Sequence, residues 1–252
     1  MLLKDKVAVV SGASGDIGKK ILEKFSNEGA NIYALIRNIE DKEFIEFTEN
    51  LKKKNNNKIN IIYLDLEKEE TIRSSFELIK KDNFNIDILV NNAGTVSNSL
   101  FQMTSLKSVR NIFEINFFSQ FLLTQVYLKL LSKSKKGSIV FVSSNSANEN
   151  PVGRSAYSAS KAALNSLTKT ISKEMGVKNL RVNAVLPGLT DTKMAKNFTK
   201  DDAINEYLNK VALKRIAKTS EIANVIAFLA SDKSSYINGQ LITIDGGKKK
   251  KK

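Results

Sequence analysis

Short apolar runs rich in β-branched residues alternate along the chain with longer stretches in which apolar residues recur at helical spacing. Runs of this kind are typical of strands that are buried on both faces. The alternation predicts the α/β class, with a parallel sheet covered by helices on both faces. We predict seven strands, over residues 7–11, 31–36, 59–64, 88–91, 138–143, 181–186 and 240–244.

Amphipathic stretches between these strands predict six helices. The first follows Gly18 and ends at Gly29, a residue type that favours helix C-termini. The others cover residues 41–54, 68–80, 107–131, 156–175 and 220–230. No Pro- or Ser-rich boundary divides the chain, so we expect one domain over residues 1–247. The five lysines at 248–252, native or added, are expected to form a disordered tail.

The chain is strongly basic, with 40 Lys and Arg against 26 Asp and Glu and a net charge of +14. Such a surface can attract nucleic acid, anionic lipid or an acidic protein. The lysines are spread out and no aromatic–basic cluster accompanies them, so we expect no nucleic-acid partner. No apolar run approaches the ~20 residues of a membrane span, and the N-terminus resembles no signal peptide. We therefore expect a cytoplasmic protein with no membrane partner.

The chain has no Cys and no His. This excludes thiol nucleophiles, His-based triads and thiolate zinc sites, and we expect no metal site. Any proton transfer must use Tyr, Lys, Asp, Glu or Ser.

A glycine-rich turn, Ser-Gly-Ala-Ser-Gly-Asp-Ile-Gly at residues 11–18, follows the first strand and opens the first helix. Glycines allow a sharp turn and a close approach of backbone to a pyrophosphate, which the helix N-terminus then binds. The position favours dinucleotide binding over a turn without a ligand. The candidate contacts are Gly12, Ser14, Asp16, Ile17 and Gly18.

Further motifs follow in a fixed order. They are Asn91-Asn92-Ala93-Gly94 after the fourth strand, Asn116 in a long helix, Ser143-Ser144 ending the fifth strand, Tyr157-x-x-x-Lys161, Pro187-Gly188 with Thr192, and Asp245-Gly246-Gly247. With the glycine turn, they make the chain resemble the short-chain dehydrogenase/reductase family over nearly its whole length. Asp16 stands where that family usually has a middle glycine.

The resemblance implies a single-domain Rossmann fold, with a doubly wound seven-stranded parallel sheet. It also implies an NAD(P)-dependent oxidoreductase that transfers a hydride between nicotinamide and a carbonyl or secondary alcohol. A non-catalytic cofactor-binding protein is the alternative, but such a protein would normally have lost Tyr or Lys of the pair. A binder of nucleic acid or membrane surfaces would depend only on the net charge and the Lys tail.

Tyr157 and Lys161 are four residues apart, so on a helix they share one face. A nearby ammonium favours a phenolate, so we expect the pKa of Tyr157 to lie below its usual ~10. The resemblance implies that Tyr157 is the acid/base, that Ser144 binds the substrate oxygen, and that Lys161 binds the nicotinamide ribose. It also implies that Asn116 holds a water molecule that links Lys161 to solvent. Ser143 competes with Ser144, but its spacing to Tyr157 fits less well.

The second strand ends with Ile36, where NAD enzymes of the family place a carboxylate for the adenosine ribose. Arg37 follows, and a guanidinium suits the 2′-phosphate of NADP. We therefore favour NADP(H) over NAD(H), although a solvated Arg at a strand end is the simpler interpretation. The resemblance implies further cofactor contacts at Asp65, Leu66, Asn92, Ala93, Gly94, Tyr157, Lys161, Pro187, Gly188, Thr190 and Thr192.

Residues 187–194 and 214–232 are similar to the 3-oxoacyl-[acyl-carrier-protein] reductases, though sugar and hydroxysteroid dehydrogenases share these blocks. That resemblance implies an acidic acyl carrier protein docking at Lys135, Lys136 and Lys178, unless these are merely solvated charges. Arg154 replaces a usual Gln and favours an anionic small carbonyl compound, such as an acid sugar, although Glu149 lies in the same loop. The resemblance, and the apolar excess on the 107–131 and 156–175 helices, favour a homotetramer, with a dimer second.

Overall fold

The computed structural model describes residues 1–82, 85–134, 136–198 and 201–249. Its seven strands form one parallel sheet in the order β3-β2-β1-β4-β5-β6-β7. This confirms the predicted fold class. The strands are β1 Val7–Ser11, β2 Asn31–Ile36, β3 Ile59–Tyr63, β4 Ile88–Asn91, β5 Gly137–Val142, β6 Leu180–Pro187 and β7 Leu241–Ile244.

Ten α-helices connect and cover the strands within the described residues. They are α1 Asp16–Asn27, α2 Lys42–Asn55, α3 Glu69–Lys81, α4 Leu106–Phe113, α5 Ser119–Leu131, α6 Ser146–Glu149, α7 Ser155–Gly176, α8 Lys193–Phe198, α9 Asp201–Lys210 and α10 Thr219–Ala230. A 3₁₀ turn precedes α4 at Phe101–Met103, and another follows α10 at Asp232–Ser234.

The strands are apolar throughout because both faces of the sheet are covered. Along β1, Val10 contributes to the hydrophobic cluster under α1, α2 and α10, whereas Val9 contributes to the cluster under α3, α5 and α7. Phe25 and Tyr127 are among the largest fully buried side chains of the two clusters. This two-sided burial is the physical source of the unbroken apolar runs in the sequence.

The order of the strands reverses between β1 and β4, since β2 and β3 lie on one side of β1 and β4 to β7 on the other. In open parallel sheets, ligands bind in the crevice at the carboxyl ends of the strands, where the order reverses. The glycine turn follows β1, and the Asn-Asn-Ala-Gly motif follows β4. The topology therefore brings these two motifs together.

The helix predicted over residues 107–131 is interrupted. Between α4 and α5 the chain forms a π-helical turn at Glu114–Phe118, within an otherwise continuous helical run. Asn116 is fully buried in this turn, whereas Phe118 is 53% exposed. Such π turns occur frequently at functional sites.

The expected Lys tail begins with ordered contacts. Lys248 pairs with Val211 in an antiparallel bridge, and the backbone N–H of Lys249 donates to the Lys210 carbonyl at 2.9 Å. The first two tail residues therefore pack against the end of α9. Residues 250–252 lie outside the described residues, and the division into one domain and a disordered tail stays a prediction.

In the part of the chain that the structure describes, no helix combines the length and apolarity that crossing a lipid bilayer requires.

Candidate active site

A cavity of about 960 Å³ opens at the carboxyl ends of the strands. The structure places nearly every predicted site residue on its wall. The lining includes Gly12, Ser14, Asp16, Ile17, Gly18, Arg37, Asp65, Leu66, Asn92, Ala93, Gly94, Ser144, Tyr157, Lys161, Pro187, Gly188, Thr190 and Thr192. Asn116 is the exception, because it is buried one layer behind the wall.

The glycine turn packs too closely for side chains at two positions. A Cβ on Gly12, which has φ +62°, would lie 2.7 Å from the Ala93 Cα. A Cβ on Gly18 would lie 2.2 Å from the Gly12 carbonyl oxygen. These contacts hold the first turn of α1 against β1 and the end of β4. Gly12 and Gly18 therefore place no side chain between the helix N-terminus and the cavity, as a bound pyrophosphate requires.

Asn92 and Ser11 hold this turn to the end of β4. The Asn92 Nδ2 donates to the carbonyls of Ser11 and Gly12 at 3.1 and 3.0 Å. In return, the Ser11 Oγ accepts from the backbone N–H groups of Asn92 and Ala93. The side chain of Asn92 therefore shapes the cofactor end of the cavity through the backbone.

Asp16 replaces a glycine without distorting the turn. Its Oδ2 accepts from the backbone N–H of Lys193, at the start of α8, at 2.6 Å. The carboxylate thus links the opening of α1 to the segment that follows β6. A direct contact of Asp16 with a cofactor stays a prediction.

The far end of the cavity, at β2, suits an anionic ligand. Ile36 is buried, while Arg37 is exposed, lines the cavity, and forms no ion pair with any described carboxylate. Two carboxylates close by in the sequence are engaged elsewhere. Asp41 caps α2 by accepting from Phe44 at 3.1 Å, and Glu43 pairs with Lys19 at 2.6 Å.

The two serines that end β5 have different partners. The Ser143 Oγ donates to the Lys161 backbone carbonyl at 3.2 Å, so it faces the backbone of α7. Ser144 hydrogen-bonds Tyr157, and its Oγ also accepts from the backbone N–H of Ser146 at 3.1 Å. The structure therefore places the Ser144 hydroxyl, rather than that of Ser143, beside the phenol.

The prediction that the pKa of Tyr157 lies below its usual value is wrong. Burial raises the pKa of Tyr157, while the hydrogen bond with Ser144 and the charge of Arg154 partly oppose this rise. Burial also lowers the pKa of Lys161, to about 8, and its Nζ donates to the Val142 carbonyl at 2.9 Å. Desolvation of both groups outweighs the expected effect of one on the other. A tyrosine is already protonated at neutral pH, and the raised pKa of Tyr157 keeps it so, which means that this phenol can donate a proton.

Asn116 supports the site from behind. Its Nδ2 donates to the Thr95 carbonyl at 2.9 Å and to Ser160 Oγ at 3.1 Å, and its Oδ1 accepts from Thr95 N at 2.8 Å. A Cβ on Gly94 would lie 3.2 Å from Asn116 Oδ1 and 3.3 Å from Lys161 Nζ. Asn116 therefore fixes the segment after β4 beside the Lys161 ammonium. Its role in holding a water stays a prediction.

Two further residues, Tyr207 and Lys248, also line the cavity, although the sequence patterns did not indicate them. Tyr207 belongs to α9, which lies outside the sheet, and Lys248 was assigned to the tail. One signal could have placed Lys248: it directly follows Asp245-Gly246-Gly247 at the end of β7, and parallel strands end at the edge where the cavity lies.

Comparison with known proteins agrees with this geometry. Residues 12–249 match the family profile described as enoyl-(acyl carrier protein) reductase. The 3-oxoacyl-[acyl-carrier-protein] reductase FabG of Chlamydia muridarum is 34% identical over 98% of both chains. A 7alpha-hydroxysteroid dehydrogenase of Clostridium sardiniense is 33% identical over 97% of this chain and 94% of its own length.

The three-dimensional comparison gives the same result. A mutant of a Serratia marcescens short-chain dehydrogenase/reductase superposes with a TM-score of 0.88 and 28% identity, over 98% of this chain and 99% of that one. The similarity therefore extends over the whole sheet and over the segments that carry the glycine turn and the other motifs. The chain belongs to the short-chain dehydrogenase/reductase family and is an oxidoreductase that uses a nicotinamide cofactor.

Proposed function

We propose that the protein reduces the 3-keto group of an acyl chain carried by acyl carrier protein, with NADPH as the cofactor. One observation carries the reaction type: Ser144, Tyr157 and Lys161 meet on the wall of the cavity whose other end is the glycine turn. The similarity to 3-oxoacyl-[acyl-carrier-protein] reductases over the whole chain supports the substrate class.

The residues divide the chemistry between them. The hydroxyls of Ser144 and Tyr157 are adjacent, so both can hydrogen-bond the oxygen of a bound ketone. Tyr157, a protonated phenol, donates its proton to that oxygen as negative charge develops there. Lys161 binds the ribose hydroxyls of the cofactor. The bound nicotinamide supplies the hydride.

NADPH is favoured by the β2 end of the cavity. Arg37 offers a guanidinium without a described carboxylate partner, and this group can bind a phosphate with two hydrogen bonds. Ile36 provides no carboxylate for a ribose 2′-hydroxyl. A carboxylate at this position would repel the 2′-phosphate.

The proposal that acyl carrier protein docks on this chain depends on Lys178. This residue is exposed in the turn after α7, and it has no ion-pair partner among the described residues. Lys136 is exposed but lies 3.5 Å from Asp232, and Lys135 lies outside the described residues. Of these three residues, Lys178 is the described cation that has no acidic partner, so the docking proposal depends on its charge.

A homo-oligomer is favoured by an aromatic cluster on α4, α5 and the π turn between them. Phe117 packs against Phe118 at 5.5 Å and against Phe121 at 6.2 Å between ring centroids. Phe118 and Phe121 are nevertheless exposed. A second copy of the chain would cover this face. A homotetramer remains the favoured state, with a dimer second.

A second candidate is the reduction of a small anionic carbonyl compound, and Arg154 favours it. Arg154 lines the cavity, and its Nε donates to Asn98 Oδ1 at 3.2 Å. The guanidinium has no acidic partner among the described residues, and its charge acts on Tyr157. An anionic group on the substrate would give this guanidinium an acidic partner.

Tyr157→Phe should lower kcat/KM for acetoacetyl thioester by about 10²- to 10⁴-fold, the usual contribution of a general acid. NADPH affinity, measured by cofactor fluorescence, should change little because the ring remains. Tyr236→Phe is the matched control, because Tyr236 is fully exposed. Activity near that of the unsubstituted protein in Tyr157→Phe would end the assignment.

Arg37→Gln should raise the Kd of NADPH by roughly 10- to 100-fold, since a charged hydrogen bond to the 2′-phosphate is lost. The Kd of NADH should stay within about twofold, because NADH lacks that phosphate. Arg73→Gln on α3 serves as the control. Equal binding of NADH and NADPH by the unsubstituted protein would contradict the preference.

Lys178→Glu should raise KM for acetoacetyl-carrier protein by about 3- to 10-fold at low salt, and less at high salt. KM for acetoacetyl-pantetheine should be unchanged, because the small thioester does not need the docking surface. Lys53→Glu is the control, because it makes the same charge change at an exposed position on helix α2. An equal effect on both substrates would rule out docking at Lys178.

A substrate panel separates the two candidates. With NADPH, acetoacetyl thioester should give a kcat/KM at least about tenfold above that of keto-acid sugars, and Arg154→Gln should not reverse this order. The opposite ranking, with Arg154→Gln abolishing the activity on anionic sugars, would establish the second candidate instead.

A further inference from the structure

The wall of the cavity contains an ion pair that involves Lys248, which follows β7. The Lys248 Nζ forms an ion pair with Glu149 Oε2 and lies 4.5 Å above the ring centroid of Tyr207. The side chains of Lys248 and Glu149 are only 15% and 26% exposed. All three residues line the cavity.

These contacts join segments that are far apart in sequence. Glu149 ends α6, and its Oε1 accepts from Asn145 Nδ2 at 3.3 Å. Tyr207 lies on α9, and its Oη accepts from the backbone N–H of Leu189, after β6, at 2.9 Å. Lys248 follows β7 and bridges to Val211. The cation is therefore the common partner of two separate parts of the wall, α6 and α9.

We propose that Lys248 is a positioning residue that clamps α9 against α6 and thereby fixes the substrate side of the cavity. The claim about substrate depends on the proposed function; the claim about the clamp does not. Lys248 need not touch the substrate. It holds Tyr207 and Glu149 at a fixed separation, and with them the space into which the substrate's reacting end must fit.

The charge of Lys248 is essential to this role. A side chain of similar length without charge could fill the space, but it would leave the Glu149 carboxylate half-buried and unpaired. It would also lose the attraction of a cation for the face of the Tyr207 ring. An arginine could replace both interactions, since its guanidinium binds carboxylates and stacks on aromatic rings.

The first arm of the test is kinetic. Lys248→Met should raise KM for acetoacetyl thioester roughly tenfold, because a displaced wall weakens substrate positioning. Its kcat should fall less than about twofold and its NADPH affinity should not change, since the catalytic residues and glycine turn are untouched. Lys248→Arg should restore KM. Lys249→Met, an exposed neighbour, is the matched control.

Glu149→Gln should resemble Lys248→Met. The double variant should be no worse than either single variant, because both remove one interaction. Additive effects on KM, or an unchanged KM in Lys248→Met, would overturn the proposal.

The second arm needs no activity. Backbone amide exchange in α9 should be faster in Lys248→Met than in the unsubstituted protein or Lys249→Met, because α9 loses its attachment to α6. Unchanged exchange in Lys248→Met would refute the clamp. If neither the unsubstituted protein nor any variant reduces acetoacetyl thioester, the proposed substrate is wrong. Faster α9 exchange in Lys248→Met would still support the clamp in that case.

Discussion

The close approach of the Gly12 backbone to Ala93 determines how the cavity is built. It brings the turn after β1 against the end of β4, at the point where the order of strands reverses. The hydrogen bonds of Asn92 to this turn keep the approach from opening. With the turn fixed, the N-terminus of α1 faces a ligand and the segment after β4 runs toward Asn116 and Lys161. Both ends of the cavity are therefore positioned by one steric contact.

A chain without His must obtain its acid/base group by other means, and here a tyrosine supplies it. Desolvation raises the pKa of Tyr157, with Ser144 and Arg154 opposing it, and the same desolvation lowers the pKa of Lys161. The two effects move the phenol and the amine further apart in proton affinity. The phenol therefore holds its proton until a reacting oxygen takes it, while the amine gives up its own more readily. Arg154, which cannot lose its charge, supplies a constant opposing field.

The sequence predicted the parts of the structure that obey a simple period or a steric rule. All seven strands were found within about two residues, because burial on both faces produces unbroken apolar runs. The glycine turn and the Ser144, Tyr157 and Lys161 set could be located from spacing and family resemblance. Features that depend on long-range packing were missed. The π turn around Asn116 is invisible to a helical period, and the pKa of Tyr157 depends on burial that spacing alone does not show. Helix α9 lies outside the sheet, so no strand pattern pointed to Tyr207.

The position of Lys248 has a practical consequence for anyone who handles this protein. The polypeptide reaches its last described contacts inside the wall of the substrate cavity, at Lys248 and Lys249. A fluorescent label on the side chain of Lys249 would therefore lie next to a residue of the cavity wall. A label on Met1 would avoid the cavity, because Met1 is exposed and lies outside the lining.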